Sequence, residues 1–173
     1  MATIRFYGEF KDEIGDAWRI NIHDIDYNGT AYEIKLGAEG FDLGYSGDNE
    51  DRYQPIIGSS VQFTVMNEGG EFETFLNTVL PAAEEGRMQL EIRKDPDNTN
   101  TLYWAGILAA EQIEQADAPA PNPVRITATD DIGNLQRLLF VANDGAGFNQ
   151  IRTPIAHMLQ ILNQMRTENL WGA

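Results

Sequence analysis

Short stretches in which every second residue is apolar recur through most of this 173-residue chain, and they constrain its fold more than any other feature. The ranges 3–7 and 17–23 both show this alternation, and the polar range 11–16 separates them. Because successive side chains of a strand point to opposite faces, a period of two predicts half-buried antiparallel strands. The polar range has the length of an ordinary hairpin connection.

The same reasoning predicts further strands along the chain. They fall in the ranges 32–36, 41–45, 61–65, 88–92, 101–108 and 124–128. Asn28-Gly29 is the strongest short turn signal between the early strands. The sequence Asp-Pro-Asp-Asn at 95–98 predicts a second hairpin, with Trp104 facing inward or against a helix.

One stretch in the middle of the chain changes period. Apolar residues in 72–80 recur at helical spacing, namely Phe72, Phe75, Leu76, Val79 and Leu80. Pro81 ends this predicted helix because proline removes a backbone donor and clashes with the preceding turn.

Proline stiffens the chain at 118–123, where Ala-Pro-Ala-Pro-Asn-Pro excludes helix and central strand and favours an extended crossing. Asp130 and Asp131 then offer N-cap oxygens to a helix, and Thr153-Pro154 begins another. The apolar faces of these helices comprise Ile132, Leu135, Leu138 and Leu139, and then Ile155, Met158, Leu159, Leu162 and Met165. We expect the first to pack on the sheets and the last to require a neighbouring subunit or further chain.

The predicted fold class is therefore mainly β with helices (α+β). One or two small antiparallel β-barrels or sandwiches are followed by C-terminal helices. We divide the chain into a first β-barrel or sandwich unit at 1–70, a helix plus second β unit at 71–130, and a C-terminal helical segment at 131–173.

The net charge of −15 lies entirely in the first 123 residues, which hold 8 Lys and Arg against 23 Asp and Glu. Such a surface repels phosphate, so specific nucleic-acid binding is not expected. The sequence has no cysteine, a charged N-terminus and no apolar run long enough to span a bilayer. We expect no signal peptide and no membrane insertion, and assembly in the cytoplasm.

The two histidines give no clear site. His23 and Asp26 are spaced as a possible metal pair, but a strand would direct them to opposite faces, which favours a solvated strand end. His157 lies eleven residues before Glu168, with no carboxylate at a useful offset, and we interpret it as a surface or interface histidine.

Three other patterns are equally unspecific. The acidic loop 48–51 lacks the ligand spacing of an EF-hand, Ser59 lacks the nucleophile elbow, and Gly145-Ala146-Gly147 follows a helix and not a strand. Any of the 27 acidic residues could pair as hydrolase carboxylates, but no pattern selects a pair. We therefore predict no enzymatic activity, no catalytic, cofactor-binding or metal-binding residues, and no cofactor. A carbohydrate- or calcium-binding β-sandwich with Trp18, Tyr45 or Trp104 as an exposed platform is the alternative.

Several short motifs, in order over roughly residues 1–140, resemble one family. They are Arg19–Asp24 with Asp26-Tyr27, Phe41–Gly47, Pro55–Ser59, Leu102–Leu108 and Ile126–Gly133. Together they resemble the N-terminal hub region of tailed-phage baseplate or tail-tip proteins. Asp131 stands where that family usually has glycine.

The resemblance implies a structural virion protein of a bacteriophage. Its expected role is that of a tail hub or distal-tail (baseplate) component, located in the virion tail. It would form a homo-oligomeric ring between tail tube and tip. Its expected partners are other tail proteins of the tube, spike or fibre. Ring closure would bury strand edges, and an acidic lumen would let DNA pass without binding.

Overall fold

A computed structural model describes residues 3–46, 58–84, 86–115 and 118–130. Nine strands occur in these ranges and make up 58% of them, so the prediction of a mainly β protein is confirmed. They are β1 (Thr3–Lys11), β2 (Ala17–Asp24), β3 (Tyr32–Glu33), β4 (Lys35–Ser46), β5 (Gly58–Asn67), β6 (Met88–Lys94), β7 (Thr101–Leu108), β8 (Glu114–Gln115) and β9 (Asn122–Thr129). The predicted helices after Asp130 lie outside the described residues.

All nine strands belong to one mixed sheet in the order β3-β1-β2-β6-β7-β9-β5-β4, with β8 paired to β9. The pairs are antiparallel except for β1 with β3, so the Asn28-Gly29 turn does not close a hairpin between β2 and β3. Strands from the predicted ranges 1–70 and 71–130 are direct neighbours, because β2 pairs with β6 and β5 with β9.

The two ends of this strand order are joined along the chain. β3 pairs with β1, β4 pairs with β5, and only Ile34 separates β3 from β4. The amide of Ile34 donates a hydrogen bond to the carbonyl of Tyr7 at 2.8 Å. The predicted strand 32–36 is therefore interrupted at Ile34, and its two halves pair with opposite ends of the sheet.

The predicted helix after β5 is confirmed as one short helical segment, composed of α1 (Gly70–Thr74) and a π-helical turn (Phe75–Val79). Its apolar residues enter the core, and the ring of Phe6 lies 5.3 Å from Phe72 and 5.1 Å from Phe75. The segment covers the end of the sheet at which β5 finishes.

The core consists of the inward-facing residues of the strands together with this helical segment. Its fully buried members include Phe6, Ile20, Ile22, Val61, Val65, Phe75, Leu90, Ile92, Val124 and Ile126. Trp104 is 8% exposed, as expected for an inward-facing residue. The alternation read from the sequence thus identifies most of the buried face.

The proline-rich crossing requires a correction. β9 begins at Asn122 and includes Pro123, which lies opposite Met66 of β5, so the range 118–123 does enter an interior strand. Proline is tolerated at the beginning of a strand, where the missing amide need not take part in the ladder. The two earlier prolines precede the strand, as predicted.

Candidate interaction surface

Four aromatic side chains meet at the end of the sheet opposite the helical segment, and we call them the aromatic cluster: Phe10, Trp18, Phe41 and Tyr103. The ring of Trp18 lies 5.5 Å from Phe41 and 5.0 Å from Tyr103, both in edge-to-face geometry. Such pairs stabilise beyond the area they bury. Each ring comes from a different strand, so only the folded sheet assembles the cluster.

Tyr103 occupies this position because β7 carries a β-bulge. Ile92 of β6 pairs with Trp104 and Arg93 pairs with Leu102, so Tyr103 has no partner on β6. A bulge of this kind inserts one residue and redirects its side chain. The ring of Tyr103 therefore contacts Trp18 while 53% of the residue stays exposed.

Two further apolar side chains are exposed near this end of the sheet. Leu102 is 48% exposed and Tyr45 is 71% exposed. Tyr45 lies opposite Ser59 on β5, and the Ser59 hydroxyl accepts a hydrogen bond from Trp104 Nε1 at 2.9 Å. We call Tyr45, Leu102 and Tyr103 the exposed apolar patch. Large apolar side chains that stay exposed in a folded chain are candidates for an interaction surface.

A hydrogen-bond network supports the strands beneath the patch. The amide and hydroxyl of Ser59 donate to Asp130 Oδ2 at 2.6 and 2.7 Å, and Trp104 Nε1 donates to the same hydroxyl. The Ser59 hydroxyl proton thus faces a carboxylate and not a histidine, an arrangement unlike that of a nucleophilic serine. Asp130 therefore fixes β5 to the end of β9, and the helix it is predicted to cap lies outside the described residues.

Trp18 is held at the edge of the aromatic cluster by the hairpin between β1 and β2. Its Nε1 donates to Asp12 Oδ2 at 3.0 Å. This hydrogen bond is the main reason why the pKa of Asp12 lies below its usual range, because it favours the charged carboxylate. Asp12 also accepts hydrogen bonds from the amides of Ile14 and Asp16. One aspartate thus closes the turn and orients the tryptophan.

His23 and Asp26 contact different partners. Nε2 of His23 lies 3.2 Å from Glu91 Oε2, whereas Asp26 Oδ2 lies 3.3 Å from Nε of Arg87. The contact with His23, followed by that with Arg93, lowers the pKa of Glu91 to about 2 against the opposing effect of burial. Within the described ranges, no three His, Cys, Asp or Glu residues are grouped to hold a metal ion.

The strongest polar cluster was missed by sequence reasoning. The fully buried carboxylate of Asp24 accepts hydrogen bonds from Arg5 Nη1 at 2.8 Å, and from Nε and Nη2 of Arg87 at 2.8 and 3.1 Å. Burial raises the pKa of Asp24, but the hydrogen bonds from Arg87 and then Arg5 leave it below its usual range. The available signal was an acid in the same alternating register as Ile20 and Ile22.

The remaining predicted candidates separate into two groups. His157, the acidic loop 48–51 and Gly145–Gly147 lie outside the described residues. Of the aromatic residues proposed as a carbohydrate platform, Trp18 and Trp104 are 9% and 8% exposed and pack into the interior, whereas Tyr45 is exposed. Two of the three rings thus present little face to a sugar.

Comparison of the chain with family models, curated proteins and solved structures finds no match. In the described part of the chain, no helix has the length and apolar character needed to cross a membrane.

Proposed function

We propose that this protein is a non-enzymatic β-rich assembly module that acts through the exposed apolar patch. Three large apolar side chains on β4 and β7, two of them aromatic, are exposed, and this is the observation that supports the proposal. Tyrosine is enriched at protein interfaces because it offers a large rigid ring and a polar tip. A bulge presents one of these rings to solvent at a position fixed by Trp18.

The fold that we propose for the module is a closed β-barrel. The supporting observation is that β3 and β4, which are separated only by Ile34, pair with opposite ends of the strand order. Closure removes the free edges that otherwise cause uncontrolled strand pairing. With one end covered by the helical segment, association is directed to the other end, where the patch lies.

The particular protein that we propose is a tail hub or distal-tail component of a tailed-phage baseplate. It forms a homo-oligomeric ring between the tail tube and the tip, and it contacts tube, spike or fibre proteins. The resemblance of the motifs in residues 1–140 supports this role. The acidic charge of the first 123 residues supports a lumen that repels DNA.

Native mass spectrometry and electron microscopy of the full chain test the proposal. We expect a closed ring. Tyr103→Ser should raise the protein concentration at which the ring dissociates by at least about tenfold, because an interface tyrosine is lost. Tyr32→Ser is the matched control, since Tyr32 is 40% exposed and its ring lies 6.1 Å from Phe6, near the helical segment. Circular dichroism checks that both variants fold. A strictly monomeric wild-type chain that is absent from tail tips overturns the proposal.

The alternative of a carbohydrate-binding sandwich has less support. Its platform requires exposed aromatic faces, and Trp18 and Trp104 are both buried. A glycan array therefore separates the two functions. We expect no binding, and specific binding that Tyr45→Ala abolishes would favour the alternative.

A further inference from the structure

A groove of about 870 Å³ lies where the helical segment, β6 and the end of β7 meet. Its floor is apolar: Pro81, Ala83, Ala109 and Ile113 are exposed or half-buried there, and they lie over the buried side chains of Leu76, Leu80, Met88, Ile107 and Leu108. A groove with such a floor fits the apolar face of an amphipathic helix, a common mode of peptide recognition.

The rim of the groove has a different chemistry from its floor. Glu84 and Glu111 are both exposed there, and the uncharged Gln112 and Gln115 complete the polar border. The rim therefore favours a partner whose flanks are basic. Its charge selects among amphipathic helices that have similar apolar faces.

We propose that the groove binds residues 154–166 of the same chain. The sequence predicts a helix there whose apolar residues fall on one face, and Arg152 and Arg166 flank it. No Asp or Glu occurs between residues 145 and 167. The segment thus combines an apolar stripe for the floor with positive charge for the acidic rim.

The earlier predicted helix is a poorer match. It begins with Asp130 and Asp131, whose negative charges the acidic rim repels. Its apolar range 132–139 contains a single arginine, Arg137. Charge therefore favours 154–166 over 132–139. From the sequence alone, we expected the last helix to need a neighbouring subunit or further chain, and we propose instead that the groove accepts it within its own chain.

The connection between groove and helix favours the same chain over a second copy. Thr129, the last residue of β9, itself lines the groove, and 24 residues (130–153) separate it from Pro154. With the predicted helix 132–139 spanning about 12 Å and the other residues extended over about 50 Å, the connection can still reach any part of the groove. A short tether also gives a local concentration in the millimolar range. This inference does not depend on ring formation.

Disulfide trapping in the full chain tests the proposal directly, because the sequence has no cysteine. The Ala110→Cys, Met158→Cys variant places one thiol on the exposed rim and one on the apolar face of the segment. Ala38→Cys, Met158→Cys is the matched control, since Ala38 is exposed on β4 and lines a separate cavity. The variants are oxidised at low concentration and analysed by non-reducing gel and peptide mass mapping.

We expect an intramolecular disulfide in most molecules of the first variant, and at least fivefold less in the control. A second measurement adds Glu84→Lys and Glu111→Lys to the first variant and is expected to reduce the disulfide yield several-fold. Equal yields in the first variant and the control overturn the proposal. Disulfide-linked dimers without the intramolecular product also overturn it, because the occupant would then be a second copy. If the disulfide yield is unchanged after Glu84 and Glu111 are replaced by lysine, the acidic rim does not select residues 154–166.

Discussion

Replacing Asp24 with alanine is expected to destabilise the protein by about 3–5 kcal/mol. The carboxylate is fully buried, and Arg5 and Arg87 donate three hydrogen bonds to it while the amide of Asp26 donates a fourth at 3.1 Å. The guanidinium of Arg5 also lies over the ring of Tyr27 at 4.8 Å. Removal of the carboxylate leaves the largely buried guanidinium of Arg5 without its counter-charge, and that loss accounts for the size of the effect.

Asp26→Ala is the matched control because Asp26 contacts the same Arg87. Its side chain is 66% exposed and lies 3.3 Å from the guanidinium, so solvent screens the pair. We expect this variant to cost less than about 1 kcal/mol. Both substitutions remove a carboxylate from Arg87, but Asp24 is fully buried and also pairs with Arg5, whereas Asp26 is largely exposed.

Urea unfolding followed by tryptophan fluorescence measures both effects, since Trp18 and Trp104 are buried in the folded state. The lowered pKa of Asp24 fixes the direction of the pH dependence. Its stabilising contribution is complete above the ordinary pKa of 3.8 and is lost as the pH falls through the lower folded-state pKa. The difference between wild type and Asp24→Ala should therefore shrink in acid. A cost below about 1 kcal/mol at neutral pH, or equal costs for both variants, would refute the reasoning.

Two further variants probe other parts of the sheet. Gly106→Ala should cost about 1–3 kcal/mol in the same urea titration, because the added Cβ would lie 2.2 Å from the carbonyl oxygen of Thr129. Gly44→Ala is the control and should cost little, because its added Cβ would lie 3.5 Å from the nearest atom, Oγ of Ser60. Glu91→Gln should cost about 3 kcal/mol at pH 7, given a folded-state pKa of about 2 against 4.5, and the difference should disappear as the pH falls from about 4.5 towards 2. A difference that persists at pH 2 would contradict that assignment.

The alternation of apolar residues was sufficient to predict most strands and the core. Trp18, Ile20 and Ile22 are buried together because the strand period alone places them on one face. The change to helical spacing after residue 70 likewise identified the segment that covers one end of the sheet. These features depend on residues that are close together in the chain, so they can be predicted from one sequence.

Pairing between strands could not be read in the same way. The parallel pairing of β3 with β1 joins Phe6 to Tyr32 and Tyr7 to Glu33, and a contact between residues so far apart in the sequence leaves no local pattern. The bulge that turns Tyr103 towards Trp18 depends on the register between β6 and β7, and a shift of one residue would have directed its ring to the other face.

The sequence by itself determined which residues are apolar, at what period, and where the charge lies. The tertiary structure decided which polar residues meet, as in the joining of Asp24 to Arg87 across 63 positions and of Ser59 to Asp130 across 71. The physical reason is that apolar burial depends on composition and period, whereas a hydrogen bond requires two particular atoms to come within about 3 Å. Only the folded chain brings those atoms together.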